Sequence, residues 1–334
     1  MEIKGSSMIA GVGAFLPKQR VKSDDLMLES RCFRFGTPVD YISKSIGIIE
    51  RRISDEHVLP SDMAIEASHV ALIDASIAAS ELDLIIYCGI DRDWQEPATS
   101  HRIQVELGAL NASCFDVSNA CHGFMDGISI ANSFIESGSA RKVLVCTGEK
   151  PSRVLYMALK ELRQVKSKLA FKRMLGALTV GDAGGAMVIQ AKGESDSGGL
   201  QWMQSYSEGK HADLCYYRHT KDGYDGQMLM REITLQIAKL HKRLIEKTYD
   251  NLCWLPSDVD RLYCHQVGEK PHATLVGIAN KTLDSAPITY PQFGNLTSAS
   301  IPVNMYLNPP EKGDKLLIMG TGSGLSVCQA GMVF

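Results

Sequence analysis

Seven short apolar, β-rich runs punctuate the chain: Leu84–Cys88, Cys114–Val117, Val143–Thr147, Ala186–Ile189, Leu262–Cys264, Leu316–Met319 and Val327–Val333, most of them closing near Gly, Asn or Ser. Because they are apolar at successive positions and do not alternate, they predict strands covered on both faces. The intervening segments Met63–Ile77, Cys121–Ser137, Gln227–Thr248 and Lys270–Leu283 carry the spacing of amphipathic helices. Strands separated by helices predict an α/β layered architecture. Met8–Leu16 is apolar behind Lys4, but glycines break it and Pro17 follows without a small-residue cleavage site. It reads as a first buried strand and turn, not as a secretory signal.

The two halves share an order of elements, a repeat of long period. In the first, Asp83–Gly89 is followed by Asn119–Ser137, Lys142–Glu149 and Val180–Ile189. In the second, Asp260–Gln266 is followed by Gly294–Leu307, Asp314–Gly322 and Gly324–Phe334. This predicts two βαβ-rich halves, residues 1–190 and 200–334, joined by the polar stretch Ala191–Gly199 and meeting at a seam that would hold the site.

At 334 residues, with 45% hydrophobic and 22% charged residues, the chain can bury a large core and is not globally disordered. A net charge of −3 gives no long-range attraction to a phosphate backbone, so nucleic acid is an unfavoured partner. No run approaches the apolar length of a membrane-spanning helix. Nine cysteines, an odd number without a CxxC pair, fit reduced thiols in a cytoplasm.

Chemistry concentrates at Phe115–Phe124 (FDVSNACHGF), where a strand leads into a helix around Cys121. A thiol at a helix N-terminus is expected to ionise more readily, because unpaired N–H groups and the helix dipole favour thiolate. Cys121 is therefore the candidate nucleophile, against the background that most buried cysteines only pack. His265 directly follows the strand-like Arg261–Cys264, and Asn295 lies in a Gly-Asn turn, Gly294–Pro302, entering a second helix. The repeat places all three at equivalent strand ends, where His can move a proton and Asn can orient or hydrogen-bond. Gly320–Leu325 (GTGSGL) offers backbone N–H groups for a developing oxyanion.

Other signals read as structural. Lys150–Arg173 holds eight basic residues and one acidic residue, a solvated helix face or a docking site for an acidic carrier or CoA phosphates. His211, Cys215 and His219 have helical spacing but no fourth ligand, and no metal is expected. Gly11-Val12-Gly13 lacks the third glycine of a dinucleotide fingerprint. His122 and Cys264 are expected to pack.

Together, the block around Cys121, His265-Gln266, Gly294-Asn295, Gly181–Ala186 (GDAGGA) and Tyr41–Ile53 resemble the thiolase-fold condensing enzymes, with the pattern of ketoacyl-ACP synthases of type III. The resemblance runs from about Ile9 to Phe334. It implies a five-layered α-β-α-β-α fold and a ketosynthase that joins two acyl thioesters by Claisen condensation through an acylated cysteine. By resemblance, Cys121 carries the acyl group, His265 and Asn295 hold the second thioester's carbonyl, and the N–H groups of Cys121 and Ser323 form the oxyanion hole. Tyr41 and Lys44 replace the usual Trp and Arg on the CoA side. The usual HQAN becomes His265-Gln266-Val267-Gly268, so Gly268 stands where Asn is customary.

Asp91–Ser100 (DRDWQEPATS), Pro271–Val276 and Gly322–Leu325 are similar to the OleA-type head-to-head acyl-CoA condensing enzymes. That similarity implies a homodimer in which Glu96 reaches the neighbouring subunit's site and removes an α-proton, as a partly desolvated carboxylate can. Acyl-CoA or an acyl carrier protein would be the substrate, with no separate cofactor. The alternatives are a malonyl-decarboxylating type III initiating synthase, a hydroxymethylglutaryl-CoA-synthase-like enzyme, and a non-catalytic subunit of a heteromeric synthase.

Overall fold

The computed structural model describes residues 1–193, 196–220 and 223–334, and for 219, 220, 223 and 224 the backbone alone. Two five-stranded sheets organise it. The first runs Ser7–Phe15, Ala183–Ala191, Lys142–Glu149, Leu84–Tyr87, Ser113–Asp116, and the second Glu2–Lys4, Gly199–Ser207, Ser326–Val333, Lys315–Gly322, Arg261–Cys264. In the first, two antiparallel pairings precede two parallel ones. In the second, the four strands from Gly199–Ser207 onward repeat the order antiparallel, antiparallel, parallel. The duplication seen in the sequence is thus a duplication of sheet topology, although Glu2–Lys4 joins the edge of the second sheet.

Five layers result. Helices Pro60–Ala75 and Thr99–Leu107 pack on the outer face of the first sheet, around Ala64, Ala71, Ile85 and Val188. Helices Met230–Leu252 and Glu269–Ile278 cover the outer face of the second, around Ile245, Leu262, Leu275 and Leu317. Between the sheets lie Gly123–Glu136 and Ser300–Leu307, whose Phe124, Ile128, Ile301 and Met305 share one core with Val145 of the first sheet and Ile318 of the second. The apolar-on-both-faces runs are the strands of this sandwich, which is why their side chains do not alternate with polar ones.

Close approach of helix Pro60–Ala75 to the first sheet depends on missing side chains. A Cβ on Gly13 would lie 2.1 Å from the Ala67 carbonyl oxygen, and one on Gly148 1.7 Å from that of Pro60. The Gly11-Val12-Gly13 pair therefore serves helix-on-strand packing, not a phosphate loop. Pro60 starts this helix at its first turn, three residues before the predicted Met63, where a missing N–H costs nothing.

Several features escaped prediction. Gly199–Ser207 mixes polar with apolar residues because its last residues emerge from the core. Cys215–Thr220 and Gly223–Met228 form a hairpin. Helix Glu269–Ile278 stops before Leu283 because Asn280 takes a left-handed conformation. His211 lies in the helical turn Gly209–Leu214 while Cys215 and His219 lie in strand Cys215–Thr220, so the three do not share one helix; the side chain of His219 lies outside the described residues. The predicted linker Ala191–Gly199 joins two strands, and residues 194–195 within it lie outside the described residues. Among the described residues, no helix is long and apolar enough to cross a membrane.

Candidate active site

The central-layer helices both begin after a short loop containing a strained residue. Ala120 has φ 49° and Thr297 has φ 51°, each three positions before the first helical residue, Gly123 or Ser300. A left-handed non-glycine residue costs energy that surrounding structure must offset, and such residues gather at functional sites. Cys121 follows Ala120, and Asn295 lies just before Thr297. The two loops come from opposite halves and meet at the seam.

They open on one cavity of about 370 Å³, whose lining includes Cys121, Glu149, Asn295, Thr297, Cys215 and Ser323. Ile90, Val154, Met174, Tyr217 and Met228 add apolar wall. The structure thus brings Cys121, Asn295 and Ser323 to one cavity wall, of which His265 is not part. Ser323 sits between the paired strands Lys315–Gly322 and Ser326–Val333, and its side chain hydrogen-bonds Cys215.

His265 follows strand Arg261–Cys264 and is 6% exposed, while Asn295 is 3% exposed. Asn295 Oδ1 accepts from the Thr297 N–H at 2.9 Å, and the backbone of Thr297 also hydrogen-bonds His265. The loop at 295–297 therefore fixes both residues. Burial, reinforced by nearby His122, pushes His265 down to about 4, so its imidazole is neutral and can accept or donate a hydrogen bond without charge.

One expectation is corrected. The helix begins at Gly123, with His122 as its cap, so Cys121 stands one residue outside the helix end. Its partly open surface faces the cavity, and burial raises the thiol above its ordinary value, with Cys215 and Glu149 adding to the rise. The one backbone hydrogen bond that favours thiolate is outweighed by desolvation, so Cys121 is held as a thiol in the free protein.

Glu96 lies on the exposed loop between strand Leu84–Tyr87 and helix Thr99–Leu107, and is not part of the cavity wall of its own chain. Tyr41, Lys44 and Gly268 lie outside that cavity, Tyr41 and Lys44 on the segment Tyr41–Ile46 whose last residue meets Gly268. A Cβ on Gly268 would lie 2.7 Å from the Ile46 oxygen, so the turn Tyr41–Ile46 packs directly on the start of helix Glu269–Ile278. Lys44 is exposed and pairs with Asp40 at 2.8 Å. Gln266 is buried: its Oε1 accepts from the N–H groups of Thr289 and Tyr290 at 2.8 and 3.2 Å, which fixes the segment leading to Asn295.

Within Lys150–Arg173, Lys150 is not on the basic face. Its ammonium is buried and donates to the carbonyls of Asp55, Glu56 and Val58. His122 is buried, with Nε2 at 3.5 Å from Asp126 Oδ1, and Cys264 is a core residue. Sequence reading missed Glu149, Ser298, Cys215 and the hairpin that closes the cavity. The available signal was a carboxylate ending the apolar run Lys142–Glu149, which a buried strand tolerates only for a reason.

Known proteins resemble the chain over its whole length. The 3-oxoacyl-[acyl-carrier-protein (ACP)] synthase III family matches residues 115–209, and the family of its C-terminal part matches residues 250–333. A beta-ketoacyl-[acyl-carrier-protein] synthase III of Ehrlichia canis is 30% identical over 332 residues, covering 96% of this chain and 97% of its own. An acyl-CoA:acyl-CoA alkyltransferase of Xanthomonas campestris is 29% identical over 311 residues, covering 90% of each chain. The OleA protein of Xanthomonas campestris, solved with lauric acid and lauroyl-CoA bound, superposes with a TM-score of 0.91 at 27% identity, covering 99% of this chain and 100% of that one. With two topologically repeated halves meeting at a cysteine-lined seam, and relatives that match from end to end, the chain belongs to the ketoacyl-ACP synthase III family of thiolase-fold acyltransferases, enzymes of Claisen condensation.

Proposed function

We propose that this enzyme condenses two acyl thioesters, without decarboxylation, to a β-keto product. The observation that carries the reading is the convergence of Cys121, Asn295 and Ser323 from both halves on one cavity. Cys121 sulfur attacks the first thioester's carbonyl carbon, the oxyanion resting on the N–H groups of Cys121 and Ser323. The carbon–sulfur bond breaks, the carrier thiol leaves with a proton, and the acyl group stays on Cys121. A base then takes an α-proton from the second thioester, and the enolate oxygen is held by the neutral His265 and by Asn295. The new carbon–carbon bond forms as Cys121 leaves as thiolate.

The base in this reading is Glu96 of a second copy. On its own chain it lies outside the cavity wall, on an exposed loop that leads into helix Thr99–Leu107, whose first N–H groups bond Asp116 at the end of strand Ser113–Asp116, an edge strand among the described residues. Trp94 on this loop, Val105 on the helix and Leu110 just after it are exposed. An open sheet edge with apolar neighbours is a surface that a second copy would cover, and a twofold axis there would exchange the two Glu96 loops. Solved variants of the Xanthomonas OleA protein replace a cysteine, a glutamate and a histidine, the residue types assigned here to Cys121, Glu96 and His265. Acyl-CoA is the donor in this reading, Tyr41, Lys44 and Gly268 mark its approach, and unpaired cysteines suit a reducing cytoplasm.

Incubation with an acyl-CoA panel followed by peptide mass spectrometry is expected to place an acyl adduct on Cys121, absent in Cys121→Ser. Product should form without malonyl-CoA and fall at least about a hundredfold in Glu96→Ala. A malonyl-dependent, carbon-dioxide-releasing reaction that survives Glu96→Ala would instead assign the decarboxylative reading, which the name of the Ehrlichia relative favours.

A further inference from the structure

Glu149 ends strand Lys142–Glu149 with its carboxyl buried in the cavity wall near Cys121. Its Oε1 accepts from the Ile90 N–H at 3.1 Å, from the Thr147 hydroxyl at 3.3 Å and from the Ser298 hydroxyl. Its Oε2 is buried and, among the described residues, has no hydrogen-bond partner. One oxygen is thus clamped and the other is buried without a partner among the described residues.

Ser298 occupies a special position. It stands two residues before helix Ser300–Leu307 and follows the left-handed Thr297, as Cys121 stands two before Gly123–Glu136 and follows the left-handed Ala120. The repeat therefore sets a hydroxyl where the first half has its thiol, and a carboxyl from the first half grips that hydroxyl across the seam. The same loop carries Asn295 and the Thr297 backbone that holds His265. The groups facing Glu149 are Asp91 on the loop after Leu84–Tyr87, Tyr87 and Cys88 on that strand's end, and Cys121. The adjacent Lys150 is turned away onto backbone carbonyls, and Arg153 acts on Asp91.

We propose that Glu149 is a positioning residue of the condensing site, fixing the Asn295 loop through Ser298 and setting by its charge how readily Cys121 forms thiolate. The inference rests on Cys121 being the nucleophile. Burial, with Asp91 adding, lifts Glu149 to about 8, so at neutral pH it is an acid that holds Ser298 without opposing a thiolate. Once ionised it is a like charge beside Cys121, and its ionisation and that of the thiol work against each other.

The test is iodoacetamide alkylation of Cys121, read by peptide mass, in the full chain and in Glu149→Gln, which keeps the acceptor for Ser298 and removes the charge. Expected rates agree at pH 7 and, at pH 9, rise about threefold or more in Glu149→Gln relative to the parent; a smaller difference at pH 9 overturns the charge role. Ser298→Ala should lower condensation about fivefold or more while Cys121 alkylation at pH 7 stays within about twofold, and Ser298→Thr should recover it. A smaller loss, or no recovery by the hydroxyl, overturns the positioning role. A parent enzyme that never forms an acyl adduct on Cys121 would sink the underlying reading instead.

Discussion

His265 and His241 show how burial decides the chemistry of a single side chain. Burial pushes His265 down to about 4 and His241 to about 3, against an ordinary value near 6.5, so the folded protein holds both neutral. As pH falls below about 6.5 the unfolded chain takes up protons that the fold refuses, and stability is lost through this window. Glu149 acts in the opposite sense: raised to about 8, it keeps its proton while the unfolded chain has lost it above about 4.5, so its contribution is present at low pH and is lost as pH rises through 8. Below about pH 6.5 the two effects offset in part, and above it only Glu149 operates. Chemical denaturation at pH 6.5 and 8.5 should therefore show the parent losing about 2 kcal/mol more than Glu149→Gln; equal losses would refute the shift. NMR of the imidazoles should find His265 neutral down to about pH 5, and a midpoint above about 5.5 would contradict its burial.

At the scale of elements, the site depends on contacts far from Cys121. Asp182, buried at the start of strand Ala183–Ala191, accepts from the N–H and hydroxyl of Ser54 at 2.9 and 2.8 Å and from those of Ser152 at 2.9 and 2.7 Å. Helix Ser152–Leu162, which supplies Val154 to the cavity, is thereby tied to the sheet. Asp182→Ala leaves these donors without acceptors and is expected to cost about 3 kcal/mol, measured by denaturant midpoint. Gly13→Ala meets the Ala67 carbonyl and should cost about 1–3 kcal/mol by pushing helix Pro60–Ala75 from its sheet. An unchanged melting temperature would show that the helix yields.

For the whole molecule, the arrangement of two copies makes the sharpest prediction. If Glu96 serves the neighbouring site, mixing Cys121→Ala with Glu96→Gln gives heterodimers in which one site has both an intact Cys121 and the partner's intact carboxylate. Refolding the two inactive variants together at equal amounts should restore about one quarter of parental activity, since half the dimers are mixed and each has one complete site. No recovery would mean that Glu96 acts within its own chain or not at all.

The apolar runs, the helical segments between them and the repeated order of elements were legible along the chain, because a strand buried on both faces and a helix with one apolar stripe leave local patterns. Cys121 and Asn295 were legible as candidates because residue type and the strand-to-helix boundary limit where such chemistry can stand, whereas Ser323 came from the family resemblance. What the sequence alone did not reveal was the environment of each group. The thiol's raised pKa, the neutrality of His265, the burial of Lys150 on backbone carbonyls and the grip of Glu149 on Ser298 all arise from burial and from partners distant along the chain. Desolvation and hydrogen bonding across such distances depend on three-dimensional packing, so the chain determined which groups carry the chemistry and the tertiary structure decided their charge and their partners.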